Sequence, residues 1–409
     1  MSQPGIALYL HVHQPYRVRP YTVFDTADSH EYFSTTRDDA SSNNEVIFKK
    51  VADKSYRPMN QLLEKLLSEN DSFKLSLSIT GTFLEQAEQW APDVIASFQR
   101  IIATGRVEIL AETYHHSLAF FYSLPEFERQ VALHRKKIEA IFGVTPTVFR
   151  NTELAYNDQV GQWAEKAGYK GVLAEGWDTV LDWRSPNHIY RPPATNSIGL
   201  LLKNYQLSDD IAFRFSNQSW NEWPLTTDKY ASWVENSFEK GPLVNLFMDY
   251  ETFGEHQWAD TGIFGFFDTF ISDWASREDR QFYTVSDALS AFSPVAELTV
   301  PQTTTWADTE RDLSAWTGNS MQREALRHLY ALEHDILRTE DTALITDWRR
   351  LGASDAVYYM STKWLDDGDV HAYFSPYDSP YDAFLYYINV IRDLRWRLMS
   401  NHGTGHLHG

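Results

Sequence analysis

Short apolar runs and amphipathic stretches take turns along the first three quarters of this chain. Runs at Ile6–Val12, Phe73–Thr80, Val107–Ala111, Thr147–Thr152, Gly171–Glu175, Leu243–Asp249 and Gln281–Val285 have the length and pattern of strands. Between several of them, Pro58–Leu67, Pro125–Ile141 and Gln159–Ala167 repeat their apolar positions with the period of a helix. Strands alternating with helices predict an α/β fold with a parallel sheet, closed here into a barrel. Two further β-like runs, Ile198–Tyr205 and Ile211–Phe215, predict a hairpin inserted on a long loop. After Pro294 the pattern changes, and Ser320–Leu337, Asp341–Leu351 and Ala383–Leu398 read as helices with few strand signals between them. The expected organisation is therefore a barrel over 1–295, a helical domain over 296–402 and a flexible His/Gly tail over 403–409, with a polar loop at Asp38–Asn44 and no internal repeat.

Strand alternation then sorts the polar residues. In the first run Ile6, Leu8, Leu10 and Val12 share one face and Ala7, Tyr9, His11 and His13 the other. The second set is expected to face the barrel lumen, with both histidines at the strand's C-terminal end, where barrel active sites lie, and with Pro15 ending the strand. In the run FMDYETFGEH, Asn245, Phe247, Asp249 and Glu251 share a face, so two carboxylates meet at a strand end with His256 close behind. Like charges brought together raise one of the two pKa values, as a general acid requires. In FRNTEL, Glu153 falls in phase with Phe149 and Asn151, while Arg150 faces the other way or reaches round to a carboxylate. In VEILAETYHH, Glu108 and Glu112 are in phase, and polar groups in a buried strand suit the binding of sugar hydroxyls. Trp177 follows another strand end, in AEGWD. Carboxylates gathered at strand ends fit glycoside hydrolysis, which places two of them across the scissile bond; a retaining enzyme uses one as nucleophile and the other as acid and then base.

Composition narrows the partners. The 409 residues carry a formal net charge of −20, which opposes binding to nucleic acid or to anionic membranes and suits a neutral substrate. Aromatics make up 15% of the chain, with 14 Trp and 22 Tyr, enough to supply stacking faces for sugars as well as a core. There is no cysteine, so disulfides, thiolate metal sites and Cys nucleophiles are excluded. The N-terminal segment lacks a basic region ahead of an apolar run, and no window has the apolar length of a membrane span, so a cytoplasmic location is expected.

These residues carry a resemblance. LHVHQP at 10–15, VEILAETYHH at 107–116, FRNTEL at 149–154, MDYETFGEH at 248–256 and TVSDAL at 284–289 occur in the order of the motifs of glycoside hydrolase family 57, and the chain resembles its α-amylase-type members. WADTERDLSAW at 306–316 extends the resemblance beyond the barrel. The resemblance implies an incomplete (β/α)7 TIM-like barrel with a C-terminal helical domain, retaining chemistry on α-1,4-glucans such as starch, glycogen or maltooligosaccharides, and no metal or organic cofactor. It implies Glu153 as nucleophile and Asp249 as general acid/base. It also places His13, Glu108, Glu251 and Asp287 in the substrate site; His11 fits the same patch, His256 lies close behind it, and Trp177, Trp306 and Trp316 are candidate sugar platforms. Relatives in such a family differ in the acceptor: water gives an amylase, a 4-hydroxyl a 4-α-glucanotransferase, a 6-hydroxyl a branching enzyme. Two readings compete with these. One is a metal-dependent polysaccharide deacetylase or mannosidase using the His11 and His13 imidazoles, although Gln14 and Pro15 follow where a carboxylate ligand would help. The other is a non-catalytic glucan-binding protein. The oligomeric state is not legible in the sequence.

Overall fold

The computed structural model describes residues 2–33, 43–363 and 375–403. Part of the polar loop at 38–44 and the tail beyond 403 lie outside them. Two compact units divide the chain: the first comprises Met1–His13, Lys49–Glu112 and Val131–Trp306, the second Gln14–Phe48, Thr113–Gln130 and Ala307–Gly409.

The first unit is built on eight parallel strands: β1 Gly5–Val12, β2 Leu75–Ile79, β3 Val107–Ile109, β4 Val148–Arg150, β5 Gly171–Glu175, β6 Gly199–Lys203, β7 Leu243–Asp249 and β8 Gln281–Tyr283. One sheet has the order β3-β2-β1-β7, with β8 pairing the start of β1; the other runs β4-β5-β6. Every residue of β1 is buried, as parallel strands covered on both faces require. At one edge of the two sheets Ala111 N–H donates to Val148 O (2.8 Å) and Arg150 N–H to Ala111 O (2.8 Å). At the other edge Asn204 N–H donates to Asn245 O (2.9 Å). A core cluster of Ala7, Tyr9, Leu110, Val148, Leu173, Leu201 and Phe247, one or two residues from each of six strands or their ends, lies between the strands.

The expected inserted hairpin is absent. Gly199–Lys203 is β6, an integral strand paired in parallel with β5 from Gly199 to Lys203, and Ile211 lies in a helix, Tyr205–Ala212. The run 199–202 is apolar throughout because the strand is buried on both faces, and loop rather than helix fills 182–198 ahead of it, so its parallel pairing has no local mark.

The second unit is helical over Ser320–Tyr330, Glu333–Arg338, Thr342–Leu351 and Pro380–Gly403. Its core joins Trp316, Leu329, Trp348, Tyr387 and Leu394 to Val18, Tyr21 and Tyr32 from the early segment. Asp393, buried on the long helix, accepts hydrogen bonds from Ala27 N–H (2.7 Å), His30 Nδ1 (2.7 Å) and the Tyr32 hydroxyl, which fastens residues 14–33 to this unit. A capping box of Asn319 and Gln322 starts the helix Ser320–Tyr330.

Gly254 shapes the loop that follows β7. Its φ is +105°, and a Cβ placed there would lie 1.9 Å from the Lys54 carbonyl oxygen. Gly254→Ala is expected to lower the unfolding free energy by more than about 1 kcal/mol, through backbone strain and the displaced loop; a denaturant midpoint equal to that of the parent would contradict this.

Candidate active site

Five strand ends deliver a set of ionisable side chains to one place. β1 ends in His11, whose Nε2 lies 3.2 Å from Glu112 Oε2 and whose Nδ1 lies 3.4 Å from Asp249 Oδ1 at the end of β7. Both ring nitrogens of this buried histidine thus face carboxylates. Arg150, at the end of β4 and buried, places Nη1 3.7 Å from the same Glu112 oxygen. Lys203 ends β6, with Nζ 3.5 Å from Glu175 Oε2 at the end of β5 and 2.8 Å from Asp209 Oδ1.

Trp306 ties these groups together. Its indole N–H donates to Glu153 Oε2 at 2.7 Å, and its backbone N–H donates to Glu153 O. The Arg150 guanidinium sits 5.1 Å and the Lys203 ammonium 5.5 Å from its ring, and the His11 ring meets it edge-on at 6.4 Å. A half-buried ring between two cations keeps its position by cation–π attraction and still has surface to offer. Glu153 reaches the indole in a way that strand phase did not predict. β4 stops at Arg150, and Glu153 takes a left-handed backbone (φ +58°, ψ +25°) inside a turn of 3-10 helix. Phe149 packs on Trp163 and Tyr169, whereas Glu153 turns to Trp306 beside Arg150. Such a conformation costs a non-glycine residue free energy, and its location at a carboxylate is typical of functional sites.

A second layer lies beyond β1. His13 Nδ1 is 2.8 Å from Thr80 Oγ1, and its ring stacks at 17° on His11. Thr80 also caps the helix Gly81–Trp90 by accepting from Phe83 N–H. The Glu251 carboxylate is buried, accepting from the Tyr56 hydroxyl (2.5 Å) and the His13 N–H (3.2 Å). Burial, then the negative charge of Asp249, push its pKa up to about 8 against those hydrogen bonds, so the group is protonated at neutral pH. Asp249 moves the other way. The crowding protein atoms raise its pKa, but the contact with His11 and the charges of His11, His256 and Arg150 prevail and lower it. The raised carboxyl of the pair is therefore Glu251, deep in the protein, and the ionised one is Asp249, whose side chain is 41% exposed. Burial holds His256 below the usual histidine range in spite of Asp249 and Glu255.

Three of the expected residues are placed elsewhere. Glu108 is held by Ser76 Oγ (2.9 Å), Ser286 N–H (3.0 Å) and the Ser286 hydroxyl, at the start of the helix Val285–Ala291, and Asp287 on that helix pairs with Lys74 (2.8 Å). Trp316 is buried in the core of the second unit beside Tyr358, with no open ring face. Trp177 is half-buried and precedes the short helix Asp178–Leu181. Sequence reasoning passed over Lys203, Glu175 and Tyr56; the signal available for the first two was a charged residue closing an otherwise apolar strand, GVLAE and GLLLK.

With this geometry in hand, comparison with known proteins is direct. The profile described as Glycosyl hydrolase family 57 matches residues 7–301. The chain belongs to glycoside hydrolase family 57. A protein of Methanocaldococcus jannaschii that carries the provisional name alpha-amylase is 40% identical over 402 residues, 96% of this chain and 84% of the relative. Among solved structures, a branching enzyme of family 57 from Pyrococcus horikoshii superposes with a TM-score of 0.69 at 15% identity, covering 98% of this chain and 92% of that one. An α-amylase from Thermotoga maritima gives 0.65 at 13% identity, with 98% and 94% covered. These two likenesses establish the shared fold. Among the described residues no helix of this family 57 chain is long and apolar enough to cross a membrane.

The raised pKa of Glu251 has a consequence for stability. A carboxyl of pKa about 8 when folded and 4.5 when unfolded binds more protons in the folded state between those values, so its contribution falls as pH rises through that window. Gln in its place still accepts from Tyr56 and His13 and cannot ionise. Urea midpoints measured at about pH 5 and about pH 9 should therefore fall less for Glu251→Gln than for the parent, and equal falls would show that Glu251 does not hold its proton.

Proposed function

We propose that the chain is a retaining α-amylase-type enzyme that opens α-1,4-glucosidic bonds of starch, glycogen or maltooligosaccharides, on an incomplete (β/α)7 barrel with a helical C-terminal domain. The backbone bonds from Ala111 to β4 and from Asn204 to β7 support closure of the seven strands into a ring. The observation that carries the catalytic reading is the chain of contacts Glu153–Trp306–His11–Asp249, which connects two carboxylates through one indole and one imidazole. Glu153, its oxygen fixed by the indole N–H, attacks the anomeric carbon as the nucleophile. Asp249, the more open of the two carboxylates that end β7, donates a proton to the leaving glucosyl oxygen and then deprotonates the incoming acceptor. The unliganded site keeps Asp249 ionised, so acid catalysis needs a proton returned to it. Glu251 holds the strand end in place through Tyr56 and the His13 amide and keeps a second negative charge out of the site. His13 and His256 line the substrate's path, and Trp306 offers its ring to a sugar face. Water is the acceptor in this reading; a glucan 4- or 6-hydroxyl would give transfer or branching on the same residues. Incubation with maltoheptaose separates these, since only shorter products mean hydrolysis, longer ones transfer, and new α-1,6 links branching.

Glu153→Gln is expected to abolish turnover while the circular dichroism and unfolding midpoint stay those of the parent, because the amide cannot form the glycosyl-enzyme. Turnover at the parental rate would remove Glu153 from its role. Asp249→Asn should lose about 10²–10⁴-fold on maltooligosaccharides, where the leaving hydroxyl needs a proton, and far less in the first step on α-glucosyl fluoride. Azide should then rescue turnover with retained stereochemistry. Glu251→Gln should weaken both substrates about equally; leaving-group dependence and azide rescue in that variant instead would exchange the two roles. Chelation is the last check. The family resemblance implies no metal, so EDTA should leave activity intact, and recovery by Zn²⁺ after its loss would favour the metal-dependent reading.

A further inference from the structure

A cavity of the first unit lies elsewhere. It measures about 1030 Å3 and runs along the loop that fills the place of a helix between β5 and β6, and its walls include none of Glu153, Asp249, His11 and Trp306. Four rings border it: Trp183, Tyr190, Tyr205 and Trp233. Trp183 is 82% exposed, a large apolar surface that contributes nothing to any core, and the Arg184 guanidinium backs it at 5.1 Å. The remaining rings are fixed by hydrogen bonds or packing. The Tyr205 hydroxyl donates to Asp178 Oδ2 (2.6 Å), the Tyr190 hydroxyl to Ser185 O (2.7 Å), and Trp233 packs edge-on against Trp220. The floor is equally ordered, for Asn204 Nδ2 donates to Asn187 Oδ1 (3.0 Å) and Asn187 Nδ2 to Ser237 O (2.8 Å).

We propose that this groove is a second glucan-binding site, separate from the catalytic group, which holds an α-glucan chain by stacking on Trp183 and Trp233. The chemistry of the walls selects the ligand. Indole and phenol faces stack on the apolar faces of sugar rings, while Asp182, Asp210, Asn236 and the other amides and carboxylates meet hydroxyls. An apolar ligand would desolvate Asp182 and Asn236 without giving them partners, and an anion would meet three aspartates, Asp178, Asp182 and Asp210, against Arg184 and Lys240, in a chain of charge −20. A volume of this size suits an oligosaccharide better than a single ring. The choice of an α-glucan over other neutral sugars rests on the proposed function. Tyr205 opens the segment that follows Lys203 of β6, so the groove starts at a strand end that also serves the catalytic group. A polymer held here stays close to the site that acts on it, which raises its effective concentration there.

Affinity electrophoresis of the full chain through gels containing glycogen tests this. Trp183→Ala, at an exposed position where the fold has little to lose, should weaken the apparent affinity by roughly ten-fold, as truncation of an aromatic anchor does. Trp183→Phe, which keeps a ring, should recover most of it, and Trp233→Ala should weaken it in the same direction. Mobility of Trp183→Ala in glycogen equal to that of the parent would overturn the proposal, as would equal loss in the Ala and Phe variants. Product analysis on maltoheptaose is run beside it. A chain that leaves maltoheptaose untouched but is retarded through Trp183 keeps this site and loses the proposed function, and a chain that processes maltoheptaose without Trp183-dependent retardation does the reverse.

Discussion

Negative charge has to be accommodated where the strands end. Glu112, Glu175 and Glu251 are buried there, with Glu153 and Asp249 nearby, and uncompensated charge in such a place is far more costly than at the surface. The chain meets this in three ways. Arg150 and Lys203, each closing an apolar strand, supply fixed positive charge to Glu112 and Glu175. His11 lies between Glu112 and Asp249. Glu251 keeps its proton and is satisfied by neutral donors. The parallel strands and the left-handed turn at Glu153 are the means by which these compensations reach their partners.

The same balance explains why Asp249 and Glu251, two residues apart on one sequence phase, behave in opposite ways. Sequence alternation correctly places them together, and like-charge coupling correctly splits their pKa values. Which of the two rises is decided by cations that alternation does not reveal. Asp249 has three cationic or imidazole neighbours, His11 on β1, Arg150 on β4 and His256 on the loop after β7, whereas Glu251 has a phenol and an amide. Assigning the acid on sequence alone therefore follows the motif and not the electrostatics, and accessibility to a substrate weighs against proton affinity in the folded site.

Much of the fold is legible because β1 and β7 obey simple rules: apolar runs of strand length whose ionisable residues come only at the C-terminal end. Legibility ends where tertiary context takes over. β6 is as apolar as β5, but loop and not helix precedes it, so its parallel pairing carries no local sign. Glu153 leaves the strand phase through a positive φ that no glycine announces. Trp306 and Trp316 sit in one motif-like stretch, yet one ends at a carboxylate and the other in a helical core; residue type alone cannot separate them. The grouping of 14–48 and 113–130 with the helical unit depends on contacts such as those of Asp393, which lie hundreds of residues apart along the chain.

Thr80 links the helix layer to the chemistry through a single hydroxyl. A hydroxyl has one proton and two lone pairs. One lone pair accepts from Phe83 N–H to cap the helix; the rest of the group faces His13 Nδ1 and, at 3.2 Å, the Thr82 hydroxyl. When His13 is neutral with its proton on Nε2, the Thr80 proton points to Nδ1. When Nδ1 carries a proton, the Thr80 hydrogen has to rotate towards Thr82 and the free lone pair takes its place. The tautomer of an imidazole at the mouth of the site is thereby coupled to the orientation of a hydroxyl rotor, and that rotor turns without disturbing the helix it caps.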